Sequence, residues 1–149
     1  MVKVLLKRLN PKTQIPKYKT DGSSGLDLMA LTKNPIKIKS QESAIIPTGI
    51  SVAIPQDTEI QISPRSGLAA KANISVLNTP GTIDSDYRGE IKVILFNHGI
   101  KDFIVNNKDR IAQMILMPVI KMEFEETDNL PESVRGDGGF GSTGKWTEI

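Results

Sequence analysis

The stretch Gly81-Thr82-Ile83-Asp84-Ser85-Asp86-Tyr87-Arg88-Gly89 places two carboxylates, a phenol and a guanidinium between two glycines. The runs beside it, Ile74–Leu77 and Ile91–Phe96, are β-branched or alternate apolar with polar, so a β-hairpin or similar tight return is predicted. Turning alone needs no more than Asn78-Thr79-Pro80-Gly81. The charged and aromatic residues that follow are surplus to that task. Asp84, Asp86, Tyr87 and Arg88 are therefore candidate site residues.

A second cluster is Pro64-Arg65-Ser66-Gly67-Leu68-Ala69-Ala70-Lys71-Ala72-Asn73. Leu68–Ala72 favour helix, Ser66 is an N-cap type of residue, and Asn73 can take the left-handed stop, which predicts one short helix over about 66–72. Its start offers N–H groups, a hydroxyl and a guanidinium, the makings of a phosphate site. A plain capped helix gives the same signal, and residue types alone do not choose between them. Asp27, between Leu26 and Leu28 after the turn Asp21–Gly25, reads either as a turn-closing residue or as a carboxylate aimed at a metal or a water. Arg110 and Gln113 are the polar intrusions in the nearly continuous apolar run Arg110–Ile120 and need partners in the fold or in a ligand. His98 reads as a surface loop residue and not a base.

The elements around these residues are β throughout. Val2–Leu9 alternates as an edge strand guarded by lysines. Ile36/Ile38, Ala44–Ile46, Ile50/Val52/Ile54, Ile60/Ile62 and Phe103–Val105 are short runs punctuated by Pro35, Pro47, Gly49 and Pro55. Such spacing predicts a sandwich, jelly roll or barrel, and the lack of strand–helix alternation argues against a doubly wound sheet. The 149 residues fit one domain, and the low aromatic fraction of 5% implies thin layers or burial by oligomerisation. With no cysteine, disulfide frameworks and thiolate metal sites are excluded, and with one histidine, His98, the chain can hardly supply the three or more ligands of a zinc site. No apolar run has the length of a membrane span, so a soluble, cytoplasmic protein is expected. The basic head (Lys3, Lys7, Arg8, Lys12, Lys17, Lys19) carries only Tyr18 as an aromatic and reads as a solvated surface, not a nucleic-acid site. An acidic stretch follows at 123–132.

The chain ends in Arg135-Gly136-Asp137-Gly138-Gly139-Phe140-Gly141-Ser142-Thr143-Gly144-Lys145-Trp146. Its glycines imitate a dinucleotide fingerprint and most of a Walker A loop. Both mechanisms need a following helix, for which only Trp146–Ile149 remain, so both are rejected. A glycine-rich tail of this kind can close over a phosphate-bearing ligand as a lid, or can simply be a disordered terminus.

Five segments taken together resemble the trimeric dUTPase family over nearly the whole chain. They are Ser24-Gly25-Leu26-Asp27-Leu28, Pro64–Ala69, Gly81–Gly89, Arg110–Ile115 and Arg135–Gly144. The resemblance implies an all-β, distorted jelly-roll-like barrel with one short helix. It further implies a homotrimer with shared sites, a core over 1–125, a linker over 126–134 and a flexible C-terminal arm over 135–149. The implied reaction is hydrolysis of dUTP to dUMP and pyrophosphate with Mg2+.

By the same resemblance Asp84 is the base, and Gln113 holds a phosphate or the attacking water. Arg65, Ser66 and Gly67 hold the inner phosphates, and Asn78, Gly81, Thr82 and Ile83 meet the base. Tyr87 lies under the sugar, Lys92 adds a substrate contact, and Arg135, Phe140, Gly141, Ser142 and Thr143 close from the tail. Asp27 serves the metal through water. Ser24 stands where the family usually has alanine, Leu26 where it often has tyrosine and Asn73 where glycine is common; none of these removes a functional group. Two rivals follow from the same fold: a dCTP deaminase, and a non-catalytic nucleotide-binding trimer.

Overall fold

The computed structural model describes residues 1–139. Eleven strands and one helix follow in order: β1 Leu5–Arg8, β2 Leu26–Met29, β3 Ile36–Ile38, β4 Ser43–Pro47, β5 Ile50–Ala53, β6 Thr58–Ser63, α1 Ser66–Ala72, β7 Ile74–Val76, β8 Gly81–Ile83, β9 Lys92–Asn97, β10 Phe103–Val105 and β11 Arg110–Pro118. The all-β expectation with one short helix holds. The expected closed barrel is not found, since strand pairing gives four separate sheets: β1-β5, β10-β3, β2-β11-β6-β8 and β4-β9-β7. They share one aliphatic core, in which Leu28, Ile38, Ile46, Ile50, Val93, Leu95, Val105 and Ile111 are buried. Strands this short, cut by prolines and glycines, each bury one or two side chains, so the core is assembled from many small contributions.

The run 110–118 is the central strand its apolar text implies, pairing with β2 on one side and β6 on the other. The edge strand is shorter than Val2–Leu9 and begins at Leu5, where pairing with β5 starts. The helix spans the predicted residues, and Asn73 closes it in the left-handed conformation at φ 54°. Its cap differs from expectation. Arg65 occupies the N-cap in extended geometry, Ser66 is the first helical residue, and no side chain caps the amides. The Arg65 carbonyl accepts from Leu68 and Ala69 instead. Among the described residues no helix is long and apolar enough to cross a membrane.

The return between β7 and β9 is a hairpin with an excursion. Ile74, Ser75 and Val76 face Asn97, Phe96 and Leu95 across an antiparallel pair. Between these strands the chain leaves as β8 and pairs with β6 in the other sheet. The polar stretch is thus suspended between two sheets, a placement that an ordinary hairpin could not give it.

Candidate active site

Register sets one half of the site. On β11, Gln113 faces Asp27 of β2 on one side and Ser63 of β6 on the other, so the three side chains form a row on one sheet face. Asp27 is tied at both oxygens: Arg65 Nε donates to Oδ1 at 2.9 Å and Arg110 Nη1 to Oδ2 at 3.0 Å. Its side chain is only 16% exposed, so the two guanidinium groups offset the cost of holding that carboxylate out of water. Arg65 also donates through Nη1 to the Arg110 carbonyl. Gln113 Nε2 donates to the Pro64 carbonyl at 3.1 Å. Ser66 and Gly67, at the helix start, are exposed. The two arginines of the second and fourth segments are therefore organised around the aspartate of the first, with Gln113 opposite it in register.

Gly25 belongs to this half for a reason the sequence does not display. A Cβ there would stand 3.1 Å from both Gln113 Oε1 and Ile115 Cγ1 and 3.3 Å from the Met114 carbonyl. A side chain there would press on all three neighbours, and glycine lets the chain enter β2 this close to Gln113 without displacing them.

The second half is an open pocket of about 430 Å³ at the suspended stretch, lined by Ile45, Asn78, Thr82, Ile83, Asp84, Tyr87, Glu90, Lys92 and Ile94. Six residues predicted from the sequence meet here: Asn78, Thr82, Ile83, Asp84, Tyr87 and Lys92. Gly81 is buried beneath them, its Cα close enough to Asn78 that an added Cβ would stand 3.2 Å from Nδ2. Asp84 is exposed, and among the described residues its carboxylate has no hydrogen-bond or ionic partner. Its carbonyl accepts from the Tyr87 amide at 3.1 Å, closing a tight turn. Arg88 Nη1 donates to the Ser85 and Tyr87 carbonyls at 2.7 and 2.8 Å, so this arginine shapes the loop from within. Glu90 lines the pocket and was not singled out from the sequence. A single acid after a glycine reads as a solvated charge, and only its distant partner, the Gly49 amide, reveals otherwise.

The two halves do not meet. Gln113 is level with Ser63, Ile60 is level with Ile83, and Asp84 follows Ile83. Asp84 is thus four residues along (Ser63 to Ile60 is three, and one more to Asp84) and two strands across from Gln113. At ordinary strand spacings that is roughly 15 Å. Arg135 is exposed and donates through Nε to the Gly138 carbonyl at 2.7 Å, bending the chain near 135–138. Phe140, Gly141, Ser142 and Thr143 lie outside the described residues. His98 is exposed, with Nε2 at 2.7 Å from Ser75 Oγ and its ring against Phe96, away from both halves.

The family model described as dUTPase matches residues 11–144. The deoxyuridine 5'-triphosphate nucleotidohydrolase of Rickettsia felis is 52% identical over 145 residues, covering 97% of this chain and 98% of the relative. The enzyme of that name from Crocosphaera subtropica is 54% identical, with 92% and 95% covered. Among solved structures, a variant of the Staphylococcus bacteriophage 80alpha dUTPase with dUpNHpp superimposes with a TM-score of 0.87 at 21% identity, covering 96% of this chain and 99% of that one. A dUTPase variant from phage phi11 of S. aureus, described with a structural Mg(II) ion, gives a TM-score of 0.79 at 18% identity, with 87% and 99% covered. At such identities these two likenesses speak for the fold.

Proposed function

The chain belongs to the dUTPase family, a dUTP diphosphatase by that membership, and we propose that it cleaves dUTP to dUMP and pyrophosphate by Mg2+-assisted attack of water on the α-phosphorus. The observation that carries this reading is the hairpin pocket, where a carboxylate with no partner among the described residues stands beside a fixed tyrosine and Asn78. Asp84 takes the proton of the attacking water. Asn78, with the backbone of Gly81, Thr82 and Ile83, pairs with the polar edge of uracil and leaves no depth for a thymine methyl. Tyr87 lies under the deoxyribose where a 2′-hydroxyl would collide, and Lys92 adds a cation at the pocket wall. Arg65, Ser66 and Gly67 hold the inner phosphates, and Gln113 holds a phosphate oxygen or the water. Arg135, Ser142 and Thr143 reach the outer phosphate as the arm over 135–149 closes, with Phe140 over the uracil and Gly141 between them. Fixed donors of this kind stabilise the charge that builds on the phosphates. The work of such an enzyme is to keep uracil out of DNA and to supply dUMP for dTMP synthesis.

Mg2+ fits this donor set in one way. Among the described residues no three His, Cys, Asp or Glu side chains gather. Each Asp27 oxygen already accepts from a guanidinium, yet an ionised carboxylate has about four acceptor sites, so capacity for water remains. Such a set suits a hydrated ion that arrives on the phosphates, with Asp27 acting through water. The ion supplies neutralisation of phosphate charge when bound.

Completion of the site falls to a homotrimer. The separation of roughly 15 Å between Gln113 and Asp84 favours a site in which one chain brings Asp27, Arg65 and Gln113, a second brings the hairpin, and a third brings the arm. Residues 119–139 form no helix or strand and expose Ile120, Met122, Phe124, Leu130 and Val134, apolar surface that assembly would cover. The reading takes the chain as one domain, with the core over 1–125 and a linker over 126–134.

Purified protein offered dUTP, dTTP, dCTP and UTP with Mg2+ is expected to release pyrophosphate from dUTP alone. Comparable turnover of all four, or ammonia from dCTP, would overturn the reading.

A further inference from the structure

The pocket holds its tyrosine in an unusual way. Tyr87 Oη donates to the Glu90 carbonyl at 3.0 Å, which folds the ring back over its own chain. The ring then lies directly on Gly89. A Cβ built there would collide with Oη, stand 2.5 Å from Cζ and meet Cε2 at 3.0 Å. The backbone of Gly89 is outside the left-handed region, so an alanine would be conformationally acceptable at this position. The ring, and not the turn, is what favours glycine here.

Glu90 fixes the other end of the arrangement. Its Oε1 accepts from the Gly49 amide at 2.9 Å, and Oε2 lies 3.8 Å from Lys92 Nζ. The next residue reinforces the join, with Thr48 Oγ1 donating to the Ile91 carbonyl at 2.5 Å and the Ile91 amide to Ile50 at 2.9 Å. Gly49 itself is not free to move: its φ is +72°, and an added Cβ would strike Leu31 and Thr13. The carbonyl that receives the Tyr87 hydroxyl is therefore fastened to the rigid turn between β4 and β5, outside the hairpin.

We propose that Gly89 and Glu90 are positioning residues for sugar discrimination: Gly89 is the bed on which the Tyr87 ring lies, and Glu90 pins that bed to the Thr48–Gly49 turn. A ring whose hydroxyl end is held against backbone in this way cannot retreat to admit a bulkier sugar. A ring free to swing can, and Tyr87, 43% exposed, has solvent to swing into. The inference rests on the reading that Tyr87 lies under the deoxyribose.

The test compares kcat/KM for dUTP and UTP in the wild type, Gly89→Ala, Tyr87→Ala, the double variant, Glu90→Ala and Glu90→Gln. Gly89→Ala is expected to fold, because the colliding atoms belong to the far end of a side chain that can move. It should raise the UTP-to-dUTP ratio on the order of tenfold. The double variant should match Tyr87→Ala alone, since both changes act through one ring. Glu90→Ala should shift the ratio in the same direction, while Glu90→Gln, whose amide oxygen still accepts from Gly49, should restore it. If Tyr87→Ala relaxes the selectivity and Gly89→Ala leaves the ratio at the wild-type value, the inference is overturned. Equal losses on both nucleotides in Gly89→Ala would reduce Gly89 to a structural role and overturn it too. Failure of the wild type to cleave dUTP, or of Tyr87→Ala to alter the ratio, removes the underlying reading and the inference with it.

Discussion

Asp27 and Asp84 are both carboxylates in or beside short strands, yet among the described residues two guanidinium groups grip one and nothing grips the other. Asp27 sits mid-strand, partly buried, and its partners come from the helix start and from β11. Asp84 follows the last residue of β8 in an exposed turn whose shape is kept by Tyr87 and Arg88. The first arrangement suits an organiser. A carboxylate whose two oxygens each accept from a guanidinium aims both arginines. The second suits a base, since a carboxylate without donors can accept a proton from water. One half of the site is set by strand register and the other by loop contacts pinned to the Thr48–Gly49 turn, so the two should respond differently to substitution.

The largest contrast is expected from Asp84→Asn. Turnover should fall by roughly two to four orders of magnitude, while calorimetry should show the substrate analogue still binding. Stability should stay within about 0.5 kcal/mol of wild type, as for an exposed side chain without partners. Activity close to wild type would remove Asp84 as the base and erase the distinction.

Removal of residues 135–149 addresses what neither half supplies. If the arm supplies outer-phosphate donors as proposed, turnover should drop about a hundredfold. Light scattering should find the oligomer unchanged, and dissociation of the truncated protein would make the arm an assembly element.

Asp27→Asn reverses the Asp84 pattern. Loss of the charge facing Arg65 and Arg110 should lower stability by about 1–2 kcal/mol in denaturant melts, because a partly buried charge-assisted network is broken. A melt indistinguishable from wild type would mean that the network organises nothing. The smallest effect should come from Arg88→Ala, which removes two exposed bonds to loop carbonyls and should cost about 0.5–1 kcal/mol. Any effect on turnover should appear in KM before kcat, and a kcat collapse would place Arg88 in the chemistry.

Much of the fold is legible in local text. Prolines and glycines bracket the strands, the Ala-rich segment gives the helix, and Asn73 marks its end. The composition also points to an aliphatic core. Register is not local: Gln113 meets Asp27 across 86 positions of chain, and nothing near either residue encodes that partner. The hairpin is legible as a return, but the excursion of β8 to β6 is not, because a three-residue strand carries too little pattern to declare its sheet. Ser66 misleads because its type fits a cap while the chain places Arg65 there, freeing the guanidinium for Asp27. The missed residues, Gly25, Gly89 and Glu90, act by space or by backbone contact. The signal available for Gly89 is its position two residues after an aromatic whose ring must lie somewhere.

Mixing tests most directly whether the two halves come from different chains. Asp84→Asn and Arg65→Ala proteins, each inactive alone, would be unfolded together and refolded as a 1:1 mixture. If one chain supplies Arg65 and another Asp84, random assembly should make about a quarter of the sites intact, and activity should recover toward that fraction of wild type. A mixture as inactive as either parent, with mixed oligomers verified by mass, would place both halves of each site in a single chain and contradict the account.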